Sequence, residues 1–189
     1  MKIKSIKQAN NLANKIALVR VDFNVPIKSG KVLDNYKIKR SLATIKFLME
    51  NRAKIIIISH LGRPNGVDKK LSLKPVAEEL GKFLQKKVRL LDVLDLKKTK
   101  TQVDKLFPGA VTMLENIRFV KGEEKNSEKF SHELANLADI FVLEGFAAAH
   151  RRSASVCGLA KYLPAYAGLL LEEEITGLDR ALKSPKKPF

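Results

Sequence analysis

A single cysteine, Cys157, occurs in a chain of 189 residues. It cannot close an internal disulfide, and alone it cannot assemble a metal site. No apolar run reaches the ~18 residues that a membrane span needs. The polar, lysine-rich stretch from Met1 to Asn14 lacks the apolar centre of a secretory signal. A soluble, reduced, cytoplasmic protein is therefore expected. Aromatic residues are few, at 6 %. Together with the lack of any helix-turn-helix, zinc or RNA-recognition signature, this argues against a nucleic-acid partner. Acidic residues are also outnumbered: 36 Lys and Arg against 20 Asp and Glu leave a formal charge of +16. What the chain does have is 45 % hydrophobic content, enough to bury a core and to exclude a disordered basic tail. Its length suits one domain, or at most two small ones.

Only 9 of the 36 cations are Arg. Scattered Lys makes solvated surface, which is the reading for Lys97-Lys98-Thr99-Lys100 and for Lys186-Lys187. Arg beyond a strand end is more informative, because a planar guanidinium grips phosphate or carboxylate bidentately. The net charge favours an anionic partner through steering.

Periodicity alternates short apolar runs with amphipathic stretches. Ile16 to Asp22 reads as a strand ended by Asn24 and Pro26, and Lys28 to Asn35 as a hairpin or surface loop. Ile38, Leu42, Ile45 and Leu48-Met49 recur at helical spacing. Lys54 to Ser59 is a β-branched run apolar on both faces, as in the interior of a parallel sheet. Ser72 is the expected N-cap of a helix through Gln85 that buries Val76, Leu80, Phe83 and Leu84. Val88 to Leu91 is a short strand, Asp92 to Lys105 is polar, and Ala110 to Leu114 is a further strand. Asn126-Ser127 opens a helix carrying Phe130, Leu134 and Leu137, and Ile140 to Leu143 is the next strand. A broken helical region from Val156 to Tyr162 ends at Pro164. The last helix runs from about Leu170 to Leu182 with Ile175 and Leu178 inward, its Glu172-Glu173-Glu174 run suiting the helix dipole. This alternation predicts an α/β fold with a mostly parallel, doubly wound sheet. All strand C-termini then share one edge, where ligands of such sheets sit.

Four strand ends carry polar residues towards that edge: Asp22-Phe23-Asn24; Ser59-His60-Leu61-Gly62-Arg63-Pro64; Glu115-Asn116-Ile117-Arg118-Phe119; and Glu144 followed by Ala149-His150-Arg151-Arg152. A lone His60 is more often structural than functional. Three Arg and two His gathered at one edge would repel each other unless an anion binds there. Asp22 and Asn24 add an acceptor and an amide. The set suits a small phosphorylated acid. Phe23, Phe119 and Phe146 are expected to pack in the core or at strand ends, and Cys157 to be a small buried residue.

Val19-Arg20-Val21-Asp22-Phe23-Asn24-Val25-Pro26, Ser59-His60-Leu61-Gly62-Arg63-Pro64, Leu114-Glu115-Asn116-Ile117-Arg118-Phe119 and Ala149-His150-Arg151 resemble phosphoglycerate kinase in order and spacing. So do Leu73-Lys74-Pro75-Val76-Ala77 and Gly168-Leu169-Leu170-Leu171-Glu172. The resemblance runs from Val19 to Phe189 and covers the family's N-terminal domain only. It implies one Rossmann-like three-layer sandwich over residues 1–183, with residues 184–189 beginning the interdomain hinge and the C-terminal nucleotide domain missing. The family transfers a phosphoryl group between 1,3-bisphosphoglycerate and ADP in glycolysis. Mg-ATP or Mg-ADP is held by the C-terminal domain, and no cofactor is expected in this chain. Neither G-x-x-x-x-G-K-[ST] nor G-x-G-x-x-G occurs here.

Carried over position by position, the resemblance implies that Asp22 and Asn24 contact the glycerate end of 3-phosphoglycerate. His60, Arg63, Arg118 and Arg151 hold its phosphate, and Phe23, Leu61 and Gly62 complete the substrate-binding set. The family's catalytic arginine aligns with Lys37, which keeps the charge but loses the planar fork. The family's Asn-Asp-Ala-Phe-Gly-Thr-Ala-His-Arg appears as Leu143-Glu144-Gly145-Phe146-Ala147-Ala148-Ala149-His150-Arg151, and Arg152 and Ser153 also depart from the family pattern. The expectation is a monomeric half-enzyme that binds 3-phosphoglycerate or 1,3-bisphosphoglycerate, is inactive alone, and is completed by a C-terminal domain. A basic nucleic-acid-binding protein or a non-catalytic interaction domain is the alternative.

Overall fold

A computed structural model of the chain describes residues 4–183. In chain order its elements are β1 (Ile16–Arg20), β2 (Ile27–Lys28), β3 (Lys31–Val32), α1 (Tyr36–Arg40), α2 (Leu42–Glu50), β4 (Lys54–Ile58), α3 (Lys74–Leu84), β5 (Arg89–Leu91), α4 (Leu96–Asp104), β6 (Val111–Leu114), α5 (Glu128–Ala135), β7 (Ile140–Leu143), α6 (Phe146–Ala149), β8 (Ala165–Ala167) and α7 (Leu169–Lys183). Six strands form one sheet in the order β5-β6-β4-β1-β7-β8, and every pairing in it is parallel. β2 and β3 make the hairpin expected near Lys28. The sheet grows from β1 to one side through β4 and to the other through β7, so the polar ends of β1, β4, β6 and β7 fall side by side.

Period-two alternation divides the core. Ala17, Val19, Ile55, Ile57, Met113 and Val142 face Ile38, Ile45, Leu48, Val76 and Leu80 from α1, α2 and α3. Leu18, Ile56, Ile58, Leu114 and Phe141 face Val103, Phe130 and Leu134 from α4 and α5. The two layers of helix make the three-layer α/β sandwich, and β1 is buried along its whole length.

Several local expectations are corrected. The polar segment 92–105 holds α4: Asp95 caps it by accepting from the Lys98 amide, and Thr99 and Val103 supply its buried stripe. Lys97 and Lys98 stay exposed on it. β8 follows Pro164 as a sixth strand too short and alanine-rich to stand out in sequence. The N-cap position of α3 is Leu73 rather than Ser72, although the Ser72 hydroxyl still accepts from the Lys74 amide at 3.2 Å. Residues 154–158 form one wide π-type turn that buries Ala154, Ser155, Val156 and Gly158. Cys157 points out of that turn and is exposed, not buried. Leu178 is 47 % exposed rather than inward, because only the first part of α7, around Leu171, reaches the core. Phe23 and Phe119 are core residues, whereas Phe146 is largely exposed at the start of α6. The hinge reading of residues 184–189, with Lys186-Lys187, lies outside the described residues.

Candidate functional site

β1 ends on Arg20, whose side chain falls on the same face as Leu18 and is fully buried. A guanidinium so placed needs partners for its N–H groups. Its Nε donates to the Ser155 hydroxyl at 2.8 Å, one Nη to the Val21 carbonyl, and Nη2 meets His60 Nδ1 at 3.2 Å. Ser155 in turn donates to Glu123 at 2.6 Å, and the Ser155 amide donates to the other Glu123 oxygen at 2.9 Å. Desolvation pulls the Arg20 pKa below its ordinary value, and the nearby carboxylates of Glu123 and Asp22 oppose that pull. Arg20, Ser155 and Glu123 were not among the site residues expected from sequence. The signal for Arg20 was its place on an otherwise wholly apolar strand.

His60 follows β4 and is 3 % exposed. Burial first, then the charges of Arg20, Arg118 and Arg151, push its pKa down to about 3 against a smaller opposing pull from Asp22. The ring is neutral at physiological pH. Ser59 accepts from the Phe23 amide at 2.9 Å, joining the ends of β1 and β4. Gly62, at φ +61, is in the left-handed region, with the Leu71 side chain packed where a Cβ would project. Its amide donates to Asn24 Oδ1 at 2.9 Å. Asn116 is buried with four hydrogen bonds, to the Leu61 amide and carbonyl, the Leu71 carbonyl and the Arg118 amide. It fixes both Leu61 and Arg118. Glu115 accepts from Ser72 and Leu73, so its role is to anchor the start of α3.

Arg118, Arg151, Arg152, His150 and Arg20 line one cleft of about 310 Å³ with Glu123, Glu124 and Ser153. Arg118 donates to the Gly62 carbonyl and pairs with Glu124 at 3.1 Å. Desolvation lowers its pKa and Glu124 opposes this, while Arg151 and Arg63 lower it further. Arg63 is exposed and does not line this cleft, but its charge is felt there. Arg151 Nε is buried with no hydrogen-bond partner among the described residues. A larger cleft of about 780 Å³ lies between α3 and β5, bordered by lysines and apolar side chains. The small cleft has the chemistry: four guanidinium groups against two carboxylates.

Asp22, just beyond the end of β1, does not line this cleft. Lys37 Nζ donates to its Oδ2 at 2.7 Å and the Asn24 amide to its Oδ1. Burial alone would raise the Asp22 pKa, but Lys37 and the Asn24 amide hold it below the ordinary carboxylate value. Lys37 and Arg40 border a separate cleft of about 180 Å³ with Phe146 and Glu174. Glu144, expected to join the strand-end cluster, does not enter the arginine cleft. It is wholly buried, and neither of its oxygens has a partner in hydrogen-bond geometry among the described residues. Desolvation raises its pKa to about 8, although the nearby Thr44 hydroxyl and Leu170 amide draw it back somewhat.

Fold and cleft together define a doubly wound α/β domain with a cationic pocket at the C-terminal edge of its sheet. Comparison with known proteins narrows the class. The phosphoglycerate kinase family model matches residues 6–189, and the chain belongs to that family. It is 46 % identical over 179 residues to the phosphoglycerate kinase of Dictyoglomus turgidum, covering 95 % of this chain and 45 % of that protein. Against the Moorella thermoacetica phosphoglycerate kinase the identity is 48 %, covering 94 % and 46 %. The structure of phosphoglycerate kinase from Coxiella burnetii superposes with a TM-score of 0.87 at 41 % identity, covering 99 % of this chain and 47 % of that one. The chain thus spans about half the length of the relatives it matches.

Proposed function

We propose that this chain is the substrate-binding half of a phosphoglycerate kinase, holding 3-phosphoglycerate or 1,3-bisphosphoglycerate at the strand ends during glycolytic phosphoryl transfer. The observation that carries this reading is the crowding of Arg20, Arg118 and Arg151 into one small cleft, with the Arg151 Nε left unpaired. A phosphate supplies acceptors to the guanidinium N–H groups that face the cleft and relieves the repulsion between them. Arg63, exposed and close enough for its charge to act on Arg118, adds a further fork to a bound phosphate, and the Nε2–H of neutral His60 adds one hydrogen bond. Asp22 and Asn24, on the β1 side, receive the glycerate hydroxyl and carboxylate end.

Phosphoryl transfer is chiefly alignment and charge neutralisation. The role of this half is to clamp the phosphate end so that the acceptor carboxylate faces the incoming phosphoryl group. The nucleotide and its Mg²⁺ belong to a complementary C-terminal domain. Lys37 supplies a point charge where the family has a planar guanidinium, and its pairing with Asp22 limits its reach. The chain alone is proposed to bind substrate without turning it over.

Isothermal titration with 3-phosphoglycerate tests the reading. Saturable binding is expected, weakened at least about tenfold by Arg118→Ala through loss of a charged contact. No saturable heat at millimolar ligand, or salt-sensitive oligonucleotide binding in its place, refutes it. A coupled kinase assay is expected to register no turnover for the chain alone.

A further inference from the structure

The buried side of the arginine cleft has an internal design that substrate contacts do not explain. Glu123 holds Ser155 by both oxygens. The Ser155 hydroxyl donates its one proton to Glu123, so towards Arg20 Nε it is free to act only as an acceptor. The wide turn at 154–158 that carries Ser155 is itself clipped to the Glu123 backbone, through the Ala154 amide. Arg20 is thereby held in one orientation, with Nη2 aimed at His60 Nδ1. A guanidinium has no lone pair to offer. His60 Nδ1 must therefore accept, and the ring proton resides on Nε2. His60 Nε2 makes no hydrogen bond among the described residues and is not sealed from solvent.

We infer that Ser155 and Glu123 are positioning residues: through Arg20 they hold His60 as the neutral Nε2–H tautomer, so that it meets the anionic substrate as a hydrogen-bond donor rather than as a cation. This rests on the reading of the strand-end cleft as a phosphoglycerate site. The charged groups acting on the ring come from three strand ends: Arg20 and Asp22 from β1, Arg118 from beyond β6 and Arg151 from beyond β7. Three cations against one carboxylate disfavour an imidazolium, and Arg20 leaves no acceptor for a proton on Nδ1. Substrate affinity is accordingly independent of any titration of His60 between pH 5.5 and 8.5.

Nitrogen-15 NMR of the His60 ring in the 189-residue chain tests this. The wild type is expected to give the Nε2–H pattern throughout that pH range. In Ser155→Ala the ring is expected to become a mixture of tautomers or to titrate within the range, with 3-phosphoglycerate affinity falling about fivefold or more. Glu123→Gln, which keeps the side-chain shape, moves both readouts in the same direction, and Ser155→Thr restores them. A merely structural role would lower stability and leave the ring signals of the folded variants unchanged. That outcome, or an Nδ1–H tautomer or imidazolium in the wild type at pH 7, overturns the inference. Should Ser155→Ala not fold, Glu123→Gln decides by the same criteria. If the wild type binds no 3-phosphoglycerate, the functional reading falls, while the ring signals still decide whether Ser155 and Glu123 set the tautomer.

Discussion

Replacing Glu144 by Gln is expected to stabilise the domain, increasingly so as pH rises. Glu144 sits with 0 % exposure where β7, α2 and the start of α7 meet, and its carboxyl titrates at about 8 rather than near the ordinary 4.5. Between those two values the native state binds a proton that the unfolded chain releases. Stability therefore falls with rising pH across this window, by up to about 1.4 kcal/mol per pH unit, and levels off on either side. At pH 7 the wild type has lost about 3 kcal/mol, and above pH 8 about 5 kcal/mol, relative to a carboxyl that stayed neutral in both states. Gln preserves the shape of the protonated acid and cannot ionise. Urea unfolding followed by far-UV circular dichroism at pH 5, 7 and 9 measures the effect. The two proteins should differ by less than about 1 kcal/mol at pH 5 and diverge steadily thereafter. A gap that is the same at pH 5 and pH 9 would refute the reasoning, since it would mean that Glu144 does not carry the proton.

Gly168 is packed so closely on Glu144 that an added Cβ would lie 1.7 Å from the carboxyl oxygen. Gly168→Ala should cost about 1–3 kcal/mol by overpacking, with most of the loss recovered when Glu144→Ala is added; a double-mutant cycle by denaturation reads the coupling. Asn116→Ala strips four hydrogen bonds, two of them fully buried, from the Leu61, Leu71 and Arg118 backbone and is expected to cost more than about 2 kcal/mol, measured by the same unfolding curves. The Lys37–Asp22 pair is half-exposed on the lysine side, so Lys37→Ala should change stability by no more than about 1 kcal/mol. When the chain is supplemented with a complementary C-terminal domain, Lys37→Arg should raise turnover over the wild type in the coupled assay.

Much of the architecture was legible because burial writes itself into residue type. The run Lys54-Ile55-Ile56-Ile57-Ile58 has to be covered on both faces, and a strand of that kind exists only inside a parallel sheet flanked by helices. The strand-end motifs were legible for the same reason, since a polar residue directly after such a run sits at the sheet edge. α4 was missed because its buried face rests on Thr99 and Val103 amid lysines, too thin a stripe to register as periodic. Cys157 and Leu178 were assigned inward from apolar neighbours alone, but a turn and a helix end each expose one side whatever their average polarity. The strand-end motif that contains Arg20 does not by itself assign it a role. Its neighbours Val19 and Val21 face one core and Leu18 the other, so strict alternation already placed its side chain beneath the sheet.

The order of elements, the parallel sheet and the gathering of Asp22, His60, Arg118 and Arg151 at one edge follow from the sequence by itself, because strand period and crossover topology leave few arrangements. Which polar residues share a cleft was decided only in three dimensions. Glu123 and Ser155 come from turns that no periodicity locates, yet they fix Arg20 and through it the proton on His60. Glu144 follows its strand as the other edge residues do, but Thr44 and Gly168 enclose it elsewhere. Side-chain direction beyond a strand end is set by what packs against it, and that is a property of the assembled layers rather than of the local chain.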